Sequence, residues 1–206
     1  MPLLRGRRSL WHRTDLKGLR AIVADGAIKP NDGSLPSSYE TSIDIGHAGY
    51  RLGGVCLFDF DTAPLDDVHW AAQHWHQFLS CFHPATVVLE LNRQNLAAGA
   101  LIEQDGPSWK PPPHQPPGSR SPHYPRWIPH VEAWYKGPIQ LGAVSRILVF
   151  RAFSGDKYEE VGAVDNAVTT VERLAAEWAA DDEKTSSGHM HGLRAAMLAA
   201  HRRHFG

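Results

Sequence analysis

Eight prolines fall between Gln104 and Trp127, at positions 107, 111, 112, 113, 116, 117, 122 and 125. Proline fixes its own φ and has no amide hydrogen to donate, so neither helix nor central strand runs through such a stretch. The segment is therefore expected to be an extended loop. Segments of strand composition lie on both sides of it. The 206 residues are enough for one domain, or a domain with an appendage.

The clearest local signal lies upstream, in Leu10–Gly26, LWHRTDLKGLRAIVADG. Leu10 and Trp11 open it as a strand that delivers His12. Thr14 or Asp15 stands where a helix N-cap belongs, Leu19, Ile22 and Val23 recur at helical spacing, and Gly26 supplies the stop. The stretch from Ile28 to Tyr50 is rich in Gly, Pro, Ser and Asn and reads as loop. Val55–Phe60, Ala85–Leu91, His130–Tyr135 and Ile147–Phe153 have strand composition. Helical periodicity predicts helices from Pro64 to about Ser80, over Ala167–Asp182 and over Leu193–His204, with a helical turn over Asn95–Leu101. The expected fold class is α+β: a mixed or antiparallel sheet with flanking helices. Residues 1–155 are expected to form the core domain, and residues 156–206 a helical C-terminal extension packed on it.

Composition removes several function classes. Charged residues make up 21% of the chain and the net charge is −1, so no global field recruits nucleic acid or a membrane surface. Local basic patches remain, at Arg5, Arg7, Arg8 and Arg13 and again at His201–His204. Cys56 and Cys81 are too few for a disulfide framework. No apolar run approaches the ~18 residues of a membrane span. The first residues carry charge without the apolar stretch of a signal peptide. A cytoplasmic protein is the expectation. Thirteen histidines invite a metal reading, and His69, His74 and His76 cluster beside Asp66 and Asp67. Neither a His-Glu-x-x-His nor a Cys-x-x-Cys pair accompanies them, so no metal is expected. Cys56 and Cys81 also lack the partner spacing of a nucleophilic dyad.

His12-x-Thr14, followed by the helix that closes at Gly26, resembles the opening of the ADP-ribosyltransferase fold. It is similar to the histidine-containing members: DarT-like toxins, poly-ADP-ribose-polymerase-like enzymes and RNA 2′-phosphotransferases. The strand His130–Tyr135 with Lys136-Gly137-Pro138-Ile139 behind it resembles the catalytic-strand region of several such enzymes. Cys56 stands where a Ser or Tyr is more usual, and Tyr50 precedes its strand instead of lying in it.

The resemblance implies a split sheet around an open cleft that binds NAD as substrate. It implies an ADP-ribosyltransferase acting on a nucleic acid or protein acceptor, in the manner of a bacterial toxin or phage-defence effector. An antitoxin or immunity protein is then a possible partner. Glu132 is the implied catalytic carboxylate, with Glu90 as its rival. His12 and Thr14 would hold the ribose or adenosine side, Tyr50 would stack on nicotinamide, and Arg13 and Arg51 would pair with pyrophosphate. Two other readings stay open. The same cleft can recognise a nucleotide or partner without chemistry, or it can serve a 2′-phosphotransferase.

Overall fold

Alternation along Ser9–Thr14 decides the layering, because successive side chains in a strand point to opposite faces of the sheet. The structure is a computed structural model and describes residues 2–5, 8–30, 53–62, 78, 84–103, 131–152, 154–162 and 164–185. Strand β1 (Ser9–Thr14) lies at the middle of a seven-stranded antiparallel sheet. Its companions are β3 (Gly54–Phe58), β4 (Ala85–Asn92), β5 (Leu101–Glu103), β6 (Glu132–Lys136), β8 (Val144–Arg151) and β9 (Ser154–Val161), in the order β5-β6-β3-β1-β4-β8-β9. Two short strands, β2 (Ala27–Ile28) and β7 (Ile139–Gln140), pair separately. The chain is thus α+β.

One face of the sheet is closed by two helices, α1 (Leu16–Asp25) and α2 (Ala167–Thr185). Leu10 of β1, Leu57 of β3, Leu89 of β4 and Val149 of β8 pack there against Leu19, Ile22, Val171 and Leu174. Burial of such side chains contributes on the order of 1.5–3 kcal/mol each. Asp15 is the N-cap of α1, accepting from the Gly18 amide at 2.6 Å. Gly26 ends the helix in the left-handed region at φ 66°, where a side chain would strain the backbone. Gly18 has a different role: a Cβ there would lie 2.0 Å from Thr14 Oγ1, so only glycine lets α1 start this close to β1.

The opposite face holds an aromatic core of Trp11, Phe58, Phe60, Phe78 and Phe150. The chain's first residues seal part of it. Leu4 is buried there, the Trp11 indole donates to the Leu4 carbonyl at 3.1 Å, and Arg5 Nε donates to the Phe60 carbonyl at 2.9 Å.

Residues from 154 onward differ from expectation. Ser154–Val161 forms the edge strand β9 instead of opening a helical extension, and α2 belongs to the main core. The segment SGDKYEEV is polar along its described length, with residues 157–160 exposed, so no apolar alternation announces it. Backbone pairing with β8 holds it, from Ile147↔Val161 to Phe150↔Tyr158. Asn95–Leu101 carries a short 3-10 turn at Ala98–Ala100 that leads into β5. The helices expected near 64–80 and 193–204 lie outside the described residues, apart from Phe78.

Candidate functional site

The sheet comes apart beside His12. β1 pairs with β4 along its whole length, from Ser9↔Asn92 to Thr14↔Val87. With β3 it registers at Trp11↔Phe58 alone. β3 in turn pairs fully with β6, from Gly54↔Lys136 to Phe58↔Glu132. The result is two half-sheets joined at Trp11 and Phe58 and forked toward Thr14 and Gly54. A regular ladder would carry the Cys56 carbonyl onto the β1 backbone. Here that carbonyl lies 3.0 Å from His12 Nδ1.

That contact fixes the imidazole. A carbonyl only accepts, so Nδ1 carries the proton and donates it. Burial pushes the His12 pKa down from 6.5 to about 4 against the raising effect of the Cys56 carbonyl, and the nearby Arg13 charge lowers it further. The ring is therefore neutral at physiological pH and Nε2 holds a lone pair. Among the described residues Nε2 has no hydrogen-bond donor, so it is set to accept one from a ligand hydroxyl.

The same shift ties His12 to acid stability. The folded value lies below the unfolded one, so on acidification the unfolded chain takes up the proton first. The contribution is constant above pH 6.5 and falls away between there and about pH 4. The full shift corresponds to a loss of up to about 3 kcal/mol. Asn in place of His12 keeps a donor for the Cys56 carbonyl but does not titrate. Urea unfolding between pH 7 and 4.5 should therefore show a shallower acid loss for His12→Asn than for the parent chain. Equal slopes would mean that His12 is not neutral in the fold.

Thr14 is buried at the fork's open end, on the same face as His12. Arg13 is not with them. It points to the aromatic face, with its guanidinium 5.7 Å from the Phe58 ring centroid and 5.5 Å from that of Phe78, and Nη1 donates to the Phe78 carbonyl at 3.2 Å. A pyrophosphate role beside His12 does not fit that placement. Tyr50, Arg51, Cys81 and the His69–His76 cluster lie outside the described residues.

Glu132 opens β6 and is fully buried. It registers with Phe58, which registers with Trp11, so all three share the aromatic face. Glu132 and His12 thus project from opposite faces of the sheet. Glu132 lies at the joined end of the fork, beside Phe58, so the two side chains do not share one surface of the sheet. Cys56 is on the Glu132 side, and its thiol is pushed well above the ordinary range by burial and by the Glu132 charge, with Arg13 opposing. It stays a protonated thiol, which argues against nucleophilic use.

Glu90 is differently occupied. Ser9 Oγ donates to its Oε1 at 2.7 Å and Arg146 Nε to its Oε2 at 2.7 Å. A carboxylate held on both oxygens inside the sheet is a structural ion pair, which argues against Glu90 for chemistry. Asp59 follows β3, pairs with Arg93, and has its carboxyl raised above the usual range by burial. Its amide donates to the Val131 carbonyl at 2.7 Å, one residue from Glu132.

Sequence reasoning looked to Tyr50 for an aromatic and passed over Tyr135. Half-buried on β6 opposite Val55, Tyr135 shares the His12 face, and its hydroxyl accepts from the Ala97 amide at 3.4 Å. The signal was present in His130–Tyr135, where alternation sets Tyr135 on the face opposite Glu132. Among the described residues no group of three or more His, Cys, Asp or Glu is placed to hold a metal ion. No described helix is long and apolar enough to cross a membrane. No protein-family model, curated protein or solved structure matches this chain.

Proposed function

We propose that this chain is an NAD-dependent ADP-ribosyltransferase of the split-sheet type, transferring ADP-ribose to a nucleic acid or protein acceptor. One observation carries the reading: a neutral His12, fixed by the Cys56 carbonyl at the fork between β1 and β3, whose Nε2 meets no hydrogen-bond donor among the described residues. Such a nitrogen suits a ribose hydroxyl, which is a donor. In the reaction the nicotinamide leaves with the electrons of its bond to ribose. Positive charge builds on the anomeric carbon, and a carboxylate lowers the energy of that state. The acceptor nucleophile then bonds that carbon and gives up its proton to the carboxylate or to water. Glu132 is the carboxylate assigned to that role. The toxin or defence-effector setting rests on fold analogy and is part of the proposal.

A second reading has its own support. Because Glu132 and His12 lie on opposite faces, the fork can bind a nucleotide without cleaving it. One experiment separates the two. The full chain is incubated with NAD, with DNA, RNA and protein acceptors offered in turn, and nicotinamide is measured beside NAD binding by calorimetry. Nicotinamide release supports the transferase. Binding without release supports the nucleotide module, and absence of both overturns each reading.

A further inference from the structure

The forked end of the sheet has a tie of its own. After β1 the chain passes through α1 and enters β2 at Gly26; after β6 it turns at Gly137 and enters β7. β2 and β7 then pair, Ala27↔Gln140 and Ile28↔Ile139, and the Leu141 amide donates to the Gly26 carbonyl at 3.0 Å. The half-sheet that carries His12 is thereby bonded through the backbone to the half-sheet that carries the Cys56 carbonyl. Ile139 lies three residues past Lys136, the register partner of Gly54 at the fork's open end. Three residues of chain span at most about 11 Å, so the pair sits near that end. Packing reinforces the tie. Ile28 and Ile139 are each 2% exposed, in the core that holds Leu10 and Leu89 of one half-sheet and Leu57 and Ala133 of the other. Both arms enter the pair through glycines in the left-handed region, Gly26 at φ 66° and Gly137 at φ 93°, where other residues are strained. A Cβ on either glycine would meet no atom within 4 Å, so each supplies a backbone turn and not clearance.

We propose that β2 and β7 form a clasp that sets the width of the fork and so holds the Cys56 carbonyl against His12 Nδ1. β1 and β3 register at one residue pair, Trp11↔Phe58, which is a hinge about which the two half-sheets can splay. A ring on one half-sheet that donates to a carbonyl on the other loses its partner when they do. The clasp bonds the half-sheets again near the forked end, so splaying requires that its ladder break as well. It is a positioning element for His12 and touches no ligand itself. The use of the fork for NAD rests on the transferase reading, but the clasp does not.

The test reads the imidazole itself. In protein carrying 15N-labelled histidine, the His12 ring signals are assigned by their loss in His12→Asn, and their shifts report which nitrogen carries the proton. The parent chain at about pH 7 should show the Nδ1–H form alone. Leu141→Pro deletes the amide that bonds Gly26. Proline suits the position: Leu141 opens a 3-10 turn, and Gln140 before it has φ −66° and ψ 146°, the extended geometry that precedes proline. This variant should lose the single Nδ1–H form and show a mixture of tautomers. Leu141→Ala gives up the side chain, keeps the amide, and should retain the Nδ1–H form. Ala27→Cys and Gln140→Cys stand directly opposite, so a disulfide between them should restore that form to the Leu141→Pro chain, and reduction should remove it again. An unchanged Nδ1–H form in folded Leu141→Pro overturns the proposal, and so does its loss in Leu141→Ala. If Leu141→Pro does not fold, the disulfide-closed chain decides: recovery of the Nδ1–H form supports the clasp, and failure to recover it overturns the clasp. Each result stands whether or not nicotinamide is ever released.

Discussion

Glu132→Gln should lower nicotinamide release by about 10²–10³-fold and leave NAD affinity within a few-fold of the parent. The amide has the shape of the carboxylate and lacks its charge. It therefore removes stabilisation of the developing cation and little of the ground-state contact. Glu132 is fully buried at the start of β6, where solvent does not screen it, so the effect belongs at the upper end for a single electrostatic group. Burst-free initial rates and calorimetric Kd values for both proteins make the comparison. Circular dichroism checks that the fold survives the substitution. Full activity in the variant would move the chemistry to another carboxylate and return the fork to a binding role.

Arg146→Met should reduce folding stability by about 3–5 kcal/mol. Arg146 reaches Glu90 at 2.7 Å with both side chains nearly enclosed, 11% and 4% exposed. Its guanidinium also lies 5.5 Å from the Trp11 ring centroid and donates to the Leu3 carbonyl at 3.4 Å. Methionine fills much of the volume but leaves the buried Glu90 charge without its guanidinium partner. The pair's net worth is a separate quantity, because bringing two charges out of water offsets much of their attraction. Adding Glu90→Gln to Arg146→Met should therefore recover more than half of the loss. Guanidinium unfolding of the two single variants and the double variant measures this. A loss below about 1 kcal/mol for Arg146→Met would mean that water reaches Glu90 in the folded protein.

Parts of this molecule can be read directly from the chain. Asp15 and Gly26 bracket α1 because capping is local chemistry, complete within a few residues. Ala85–Leu91 announces β4 because a strand covered on both faces is apolar throughout. β9 gives no such sign: it is an edge strand with solvent beside it, held by backbone bonds that any side chain permits. Strands β2 and β7 are two residues each, too short for periodicity to register.

The candidate site was half legible. His12 and Glu132 stand out as polar residues in apolar strands, but the face each occupies depends on how β1, β3 and β6 align across long stretches of chain. A slip of one residue would reverse every side chain on a strand. Nor does composition separate Glu132 from Glu90. What marks Glu90 as structural is Arg146, 56 residues away in sequence, which donates to its carboxylate. Arg13 shows the same limit, since adjacency to His12 in sequence puts it on the other side of the sheet.

The central place of β1 also shapes how the protein must fold. It precedes the other described strands in the chain and both half-sheets depend on it, yet its long pairing is with residues 85–92. Loop closure over such separations must be completed before the contacts reward it, which favours slow folding relative to helical chains of similar size. During synthesis Trp11 meets Phe58 of β3 first and its β4 partner Glu90 only after more than a third of the chain has followed, and β6 and β8 come later still. Exposed strand edges in that interval are prone to wrong pairing. The fork at His12 is thus a late product of assembly, and a cell making this protein carries it first as an unfinished chain with unpaired strand edges.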